Sequence, residues 1–279
     1  MRIILLLFLL MLFGCIKNSS STTFPLKNII PYKRLKNINY SKFNEPSGIC
    51  HHISRKSLIV VGDEGDICEM DYNGKILQKK HLFNSDFEGV THNPSTGLIY
   101  IAVEGEEKII EINPAGLTVT REFILSRQLN GETLLKVGGQ GIEAITFVPN
   151  SSHPHGGTFL VANQSLQLDS KDDISGIIEY EIPLNNKKVK KGFGKIIRVI
   201  QPYIIDLTGL YYEMSTKLIY VISESTNTLS CLSRAGILLN VQALPGQRQE
   251  GITFDSKGYL YIAQDSGQII KYKPINQVN

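Results

Sequence analysis

Tryptophan is absent from this chain of 279 residues, which removes the Trp-Asp signature of WD40-type repeats. Cysteine is scarce, and Cys15, Cys50, Cys68 and Cys231 form no Cys-x-x-Cys pair. Zinc and dithiol redox chemistry therefore have no framework. Buried free thiols are expected, with a Cys50–Cys68 disulfide as the alternative in an exported protein. An excess of one charge is also missing: 29 Lys and Arg oppose 26 Asp and Glu, for a net charge of +3. That balance is too weak for a nucleic-acid footprint, so no nucleic-acid partner is expected. There is no Gly-x-Ser-x-Gly elbow and no P-loop. Gly138-Gly139-Gln140-Gly141 is glycine-rich but precedes a strand pattern rather than a helix. Outside the first residues, no window of helical length carries a 3.6-residue period. What remains is an apolar fraction of 42%, enough for a sizeable core, broken by frequent glycine and proline turns.

The single long apolar run is at the start. Residues 1–15 read MRIILLLFLLMLFGC: one charged residue, an apolar stretch too short to span a bilayer, and Leu12-Phe13-Gly14-Cys15 in the manner of a bacterial lipobox. Residues 1–14 are read as a lipoprotein signal peptide and Cys15 as the lipidated residue. Several acyl chains, palmitate among them, would hold it strongly, since each buried CH₂ contributes about 0.8 kcal/mol. Residues 15–30 then form the lipidated Cys and a polar tether. The expected location is outside the cytoplasm, on the cell membrane or the outer membrane.

Residues 31–279 carry an internal repeat. Five short segments align: Glu45-Pro46-Ser47-Gly48-Ile49, Asp86-Phe87-Glu88-Gly89-Val90, Gly141-Ile142-Glu143-Ala144-Ile145, Asp206-Leu207-Thr208-Gly209-Leu210 and Arg248-Gln249-Glu250-Gly251-Ile252. Each is followed by an apolar quartet (LIVV, IYIA, FLVA, IYVI, LYIA) and then by Asp63, Glu104, Gln164, Glu224 or Asp265. The distance from the third residue of the segment to that polar residue is 15 or 16 residues in four copies and 21 in the third. The surplus sits in the turn Ser151–Gly157. Each unit reads as four short strands rich in β-branched and aromatic residues, with loop insertions near 127–140, 165–175 and 185–195. Such units bury their faces by stacking on neighbours. The last unit lacks a fourth strand, which Pro31–Ile38 can supply, so the expected fold is all-β: a five-bladed β-propeller closed by an N-terminal strand. The competing reading is a β-sandwich with accidental self-similarity.

In such a fold, the start of each inner strand and the end of the second strand share one face of the disc. Glu88, Glu143 and Glu250 then surround one channel mouth, with Ser47 and Thr208 completing the ring. Asp63, Glu104, Gln164, Glu224 and Asp265 lie outside it, and Glu45, Asp86 and Asp206 add charge nearby. Converging carboxylates need protons, cationic side chains or a metal ion. An all-oxygen donor set suits Ca²⁺, with Glu88, Glu143 and Glu250 leading and Asp63, Glu104, Glu224 and Asp265 as further ligands. Alternatively, these glutamates cap strand ends and bond backbone amides between units.

EPSGI, DFEGVTHNPSTGLIYIAVEG, GIEAITFVP and QEGITFDSKGYLYIAQDSG resemble the SdiA-regulated (YjiK-like) family, distant relatives of NHL-repeat propellers. The resemblance spans roughly residues 40–279. It implies a five-bladed propeller and a calcium site, carried here onto Glu88, Glu143 and Glu250; Ser47 and Thr208 depart from that motif. It implies no activity. Two functions stay open. One is a monomeric binding or scaffolding module for an envelope protein or small ligand. The other is a metal-dependent lactonase or phosphoesterase using Glu88, Glu143, Glu250, Asn163, Glu224 and Asp265. His51 and His92 are expected as packed or solvent-facing strand residues, His153 and His155 as turn residues. The run Lys187-Lys188-Val189-Lys190-Lys191 is expected in a solvated loop, with contact to anionic lipid or an envelope polymer as the second reading.

Overall fold

The computed structural model describes residues 32–39, 43–136, 140–168 and 173–275. The expected signal peptide, Cys15, the tether, Gly138 and Gly139 lie outside the described residues. All regular structure among the described residues is β-strand.

After β1 (Tyr32–Asn37), the chain runs through β2 (Pro46–His52), β3 (Ser57–Gly62), β4 (Asp66–Met70) and β5 (Ile76–His81), paired in that order as an antiparallel meander. β6 (Phe87–His92), β7 (Ile99–Val103), β8 (Lys108–Asn113) and β9 (Thr118–Leu125) repeat it. A small hairpin, β10 (Gln128–Leu129) and β11 (Glu132–Thr133), precedes the third meander: β12 (Ile142–Pro149), β13 (Gly157–Asn163), β14 (Ile177–Glu181) and β15 (Lys191–Ile200). β16 (Leu207–Glu213), β17 (Leu218–Ser223), β18 (Thr228–Leu232) and β19 (Leu238–Ala243) form the fourth. The last strands, β20 (Gln249–Phe254), β21 (Leu260–Gln264) and β22 (Gln268–Pro274), take β1 as their neighbour, with Tyr32 opposite Pro274 and Asn37 opposite Ile270.

The apolar quartets occupy β3, β7, β13, β17 and β21 and are buried on both faces. They pack between meanders. Val61 and Ile67 meet Phe87 and Ile101; Tyr100 and Phe123 meet Phe147 and Phe159; Leu160 and Ala162 meet Leu207 and Val221. Tyr220 and Leu229 meet Phe254 and Ile262, and Tyr261 and Ile269 return to Leu58 and Val60. Each fully buried aromatic or large aliphatic side chain contributes about 2–3 kcal/mol. Carboxylates buried at these seams are neutralised. Glu69 accepts from Arg55 Nε at 2.7 Å and Ser57 Oγ at 2.6 Å. Glu111 accepts from Arg121 Nε at 2.8 Å and Thr120 Oγ1 at 2.6 Å. Glu179 accepts from Arg198 Nε at 3.0 Å and Thr158 Oγ1 at 2.6 Å, and also pairs with Arg234.

The expected insertion over 185–195 is corrected in its second half: Lys191 opens β15, which runs to Ile200. Its first residues pair in parallel with β9, Phe193 opposite Ile124, joining two meanders into one eight-stranded sheet. An unpaired edge offers a ready ladder, and β15 occupies it. Cys50, Cys68 and Cys231 are free and buried, so the Cys50–Cys68 disulfide is absent; burial pushes the thiols of Cys50 and Cys68 up.

At the centre, β2, β6, β12, β16 and β20 lie side by side, and β20 returns to β2. They approach closely enough that side chains are excluded at one level. A Cβ on Gly251 would meet Ile49 N at 2.7 Å, and one on Gly209 would meet Glu250 O at 2.2 Å. Gly48 and Gly89 face their neighbours in the same way. Gly176, by contrast, has its nearest neighbour atom at 3.6 Å. Gly251→Ala is expected to cost about 1–3 kcal/mol by overpacking, whereas Gly176→Ala stays within about 0.5 kcal/mol of the parent; urea denaturation measures both.

Candidate metal centre

Each inner strand carries a β-bulge at the aligned position. Ladder register shifts between Pro46 and Gly48, Phe87 and Gly89, Ile142 and Ala144, Leu207 and Gly209, and Gln249 and Ile252. Ser47, Glu88, Glu143, Thr208 and Glu250 sit in these bulges, which re-aim a side chain out of the regular alternation. Two residues earlier, Glu45, Asp206 and Arg248 adopt left-handed φ values of 38°, 55° and 54°. The second landmark is tied to the first: the N–H groups of Glu104, Gln164, Glu224 and Asp265 donate to the carbonyls of Asp86, Gly141, Asp206 and Arg248 at 3.0, 3.2, 3.2 and 3.1 Å. Outer and inner polar residues therefore share one end of the channel.

Ser47 and Thr208, where the glutamate is missing, do something else. Thr208 Oγ1 donates to Gln249 O at 2.7 Å, and Ser47 Oγ donates to Phe87 O. Both hydroxyls stitch one inner strand to the next, immediately before a bulge glutamate. Two residues past the bulges, Ile49, Val90, Ile145, Leu210 and Ile252 form a buried apolar belt across the channel.

The carboxylates are crowded. Asp63, Asp86 and Glu88 each offer an oxygen, all within 4.8 Å of one another. At that spacing two ionised groups repel by about 3 kcal/mol at an effective dielectric near 20. Burial first, then the charges of Glu143 and Asp86, push Glu88 well up. Burial, then Glu104 and Glu250, do the same to Glu143. Glu250 is raised to about 9 by burial and by Glu224, Asp63, Asp265 and Asp206. Asp63 is raised to about 7 by burial, Asp86, Asp265 and Glu45. Burial leads the upward shifts of Glu104 and Glu224 too.

Some of these acids have protein partners. Asp265 pairs with Arg248 at 2.8 Å. Glu104 accepts the Gly141 N–H at 2.9 Å, and Asp206 accepts the Ser225 N–H at 2.8 Å. Asp63 Oδ1 and Asp86 Oδ1 are buried with no hydrogen-bond partner among the described residues. No backbone amide among the described residues donates to Glu88, Glu143 or Glu250, so the strand-capping alternative does not describe them. Sequence reasoning placed Asp86 only as nearby charge. It also passed over Glu107, fully buried, which accepts the N–H groups of Gly105 and Ile142 at 3.1 Å and so positions the start of β12. Burial raises Glu107 to about 7, against the pull of Arg127.

The contrast with the seams is informative. There Glu69, Glu111 and Glu179 each have an arginine and a hydroxyl; of the acids at the channel mouth, only Asp265 has an ion pair among the described residues, with Arg248. The Ca²⁺ implied by the family resemblance fits this donor set, because Asp63 and Asp86 present orphaned oxygens and the whole set is hard oxygen.

The other predicted residues are elsewhere. Asn163 is used up structurally: Nδ2 donates to Leu134 O at 2.8 Å and Ile174 O at 2.7 Å, and Oδ1 accepts from Gly176 N at 2.8 Å. It therefore has no free group for the hydrolase role. His153 Nε2 lies 3.0 Å from Glu181 Oε2 in its turn. His51 and His92 line a space of about 60 Å³ on the far side of the apolar belt. His92 stacks on His52 at 4.8 Å, and burial, then His52 and His51, push it down to about 3.

The SdiA-regulated family model matches residues 32–268. The chain belongs to the SdiA-regulated family. No curated protein matches it. Among solved structures, it is similar to glutaminyl cyclase from Myxococcus xanthus, with TM-score 0.61 and 10% identity over 87% of this chain and 95% of that one. It is also similar to the β-propeller domain of Cps50 (Swd1) from Myceliophteria thermophila, with TM-score 0.50 and 9% identity over 87% and 99%. These likenesses establish a propeller-like fold and carry no activity to the SdiA-regulated chain.

Two pH effects of opposite sign follow. Asp63, Glu88, Glu104, Glu143, Glu224 and Glu250 titrate above their unfolded values, so the folded chelator-treated protein binds extra protons. Their contribution to stability is fully present below about pH 4 and is lost as pH rises through about 7 and then 9. Glu88→Gln removes a carboxyl whose ionisation the site opposes and is expected to raise the melting temperature of chelator-treated protein at pH 8. His92 is depressed, so its contribution is present above about pH 6.5 and is lost as pH falls toward 3. His92→Gln is expected to flatten that acid limb in pH-dependent urea titrations.

Proposed function

We propose that this SdiA-regulated protein is an exported lipoprotein whose five-bladed propeller, closed by β1, holds Ca²⁺ at the acidic channel mouth and serves as a binding or scaffolding module in the cell envelope. The observation that carries the reading is the Asp63, Asp86 and Glu88 group, with two orphaned buried oxygens and no arginine of its own. Support for five blades is the sequence of inner-strand neighbours returning to its start, together with the pairing of β1 and β22. Asp63, Asp86 and Glu88 would hold the ion. Glu143, Glu250, Glu104 and Glu224 would add negative potential, with Asp265 moderated by Arg248. A bound cation supplies the missing counter-charge, and the rigid ring then presents its loops to a partner.

The hydrolase alternative needs substrate-sized space beside the ion. The throat next to Glu88 has room for about 10 Å³, roughly one water at most, which favours a structural cation. Cys15 as the lipidated residue, with palmitate-type chains and residues 15–30 as tether, would place a monomeric propeller at the cell or outer membrane. The near-neutral charge gives nucleic acid no footing.

Calorimetry on chelator-treated protein is expected to show saturable Ca²⁺ binding, weakened about tenfold or more in Asp63→Asn and Glu88→Gln. Absence of binding heat and of any Ca²⁺-dependent rise in melting temperature would remove the metal reading. Labelled palmitate is expected to enter the wild-type chain in cells and not Cys15→Ser.

A further inference from the structure

We infer that the cleft between the second and third meanders, remote from the acidic mouth, binds a small organic dianion with an apolar part. The cleft holds about 520 Å³, within the range of small-ligand sites.

Its floor is electrically closed. Glu111 is fully engaged by Arg121, Thr120 and Tyr100, whose hydroxyl donates to it at 3.0 Å. Burial pushes the Glu111 carboxyl up, but these hydrogen bonds outweigh it and hold it low. Arg121 Nη1 also donates to Leu184 O at 3.1 Å and Asn186 O at 3.4 Å. The β14–β15 connection is thereby pinned over the floor.

Above that neutral floor stand two uncompensated cations. Lys187 and Lys190 both line the cleft and are exposed. Neither takes part in an ion pair among the described residues, although twelve such pairs occur elsewhere. His155, also lining the cleft, contributes a buried Nδ1 with no hydrogen-bond partner among the described residues. Leu98, Tyr100 and Leu184 supply an apolar wall beside these groups. The lengthened β12–β13 turn and the β14–β15 connection both depart from the repeat, and both are walls of this cleft. Two ammonium groups suit two negative charges, as on a phosphate monoester, and the apolar wall suits an attached ring or chain.

The test is a titration of the full chain with phenyl phosphate at low salt, followed by calorimetry and amide chemical shifts, with inorganic phosphate as the comparison. Saturable binding of phenyl phosphate, tighter than inorganic phosphate, is expected. Replacing Lys187→Gln and Lys190→Gln together is expected to weaken it by about tenfold per lysine, and His155→Ala by about threefold. Both lysines stand on an exposed connection, so the melting temperature and the Ca²⁺ response of the double variant should match the parent. Absence of saturable binding at millimolar phenyl phosphate, or binding that survives the double substitution, would overturn the site. Equal affinity for inorganic phosphate would overturn the apolar half of the ligand class. A failure of Ca²⁺ binding leaves this result untouched, since no residue is shared.

Discussion

Where the inner strands meet, backbone lies against backbone. At Gly48, Gly89, Gly209 and Gly251 a single added carbon would collide with the neighbouring strand, and much of the remaining structure follows from that closeness. Strands pressed so tightly leave no room for regular alternation toward the axis, and each accommodates with a bulge one residue earlier. The bulges turn Glu88, Glu143 and Glu250 into the channel, while Ser47 and Thr208 use the same geometry to bond the next strand. Two residues further on, the apolar belt from Ile49 to Ile252 seals the centre. The channel is thus two separate mouths rather than a passage.

Carboxylates in this molecule are treated in two ways. Glu69, Glu111 and Glu179, buried between meanders, each receive an arginine and a hydroxyl, and the residual cost of desolvation is met locally. The acids of the channel mouth receive little beyond Arg248 and a few backbone amides. Burial and mutual repulsion raise the affinity of Asp63, Glu88, Glu143 and Glu250 for protons, and the same crowding of negative charge favours any hard cation that can displace those protons. A fold that repeats its solution to buried charge at three seams and withholds it at a fourth place has set that place apart.

Much of the architecture was legible in the sequence because its cause is local and repeated. The apolar quartets are the second strand of each meander, and the aligned Glu, Ser and Thr positions are the bulges. What escaped was set by contacts between distant segments. Asp86 was read as background charge, yet it lies within ligating distance of Asp63 and Glu88 through the approach of β3 to β6. Asp265 was read as a free ligand, but Arg248 on the preceding connection claims it. Asn163 was offered to catalysis and is spent holding Leu134, Ile174 and Gly176. The stretch after Lys191 was read as insertion because parallel pairing with β9 has no local signature.

The sequence alone determined the strand content, the repeat and its register, since side-chain alternation and turn residues act over a few positions. It also carried two landmarks at a near-constant separation across one hairpin, and backbone hydrogen bonds join the two in four of the five meanders. Tertiary structure alone decided which of the acids approach within reach of one ion, which are answered by an arginine, and that two lysines stand unanswered over a cleft. Those outcomes depend on the spacing between strands far apart in the chain, and no spacing along the chain encodes it.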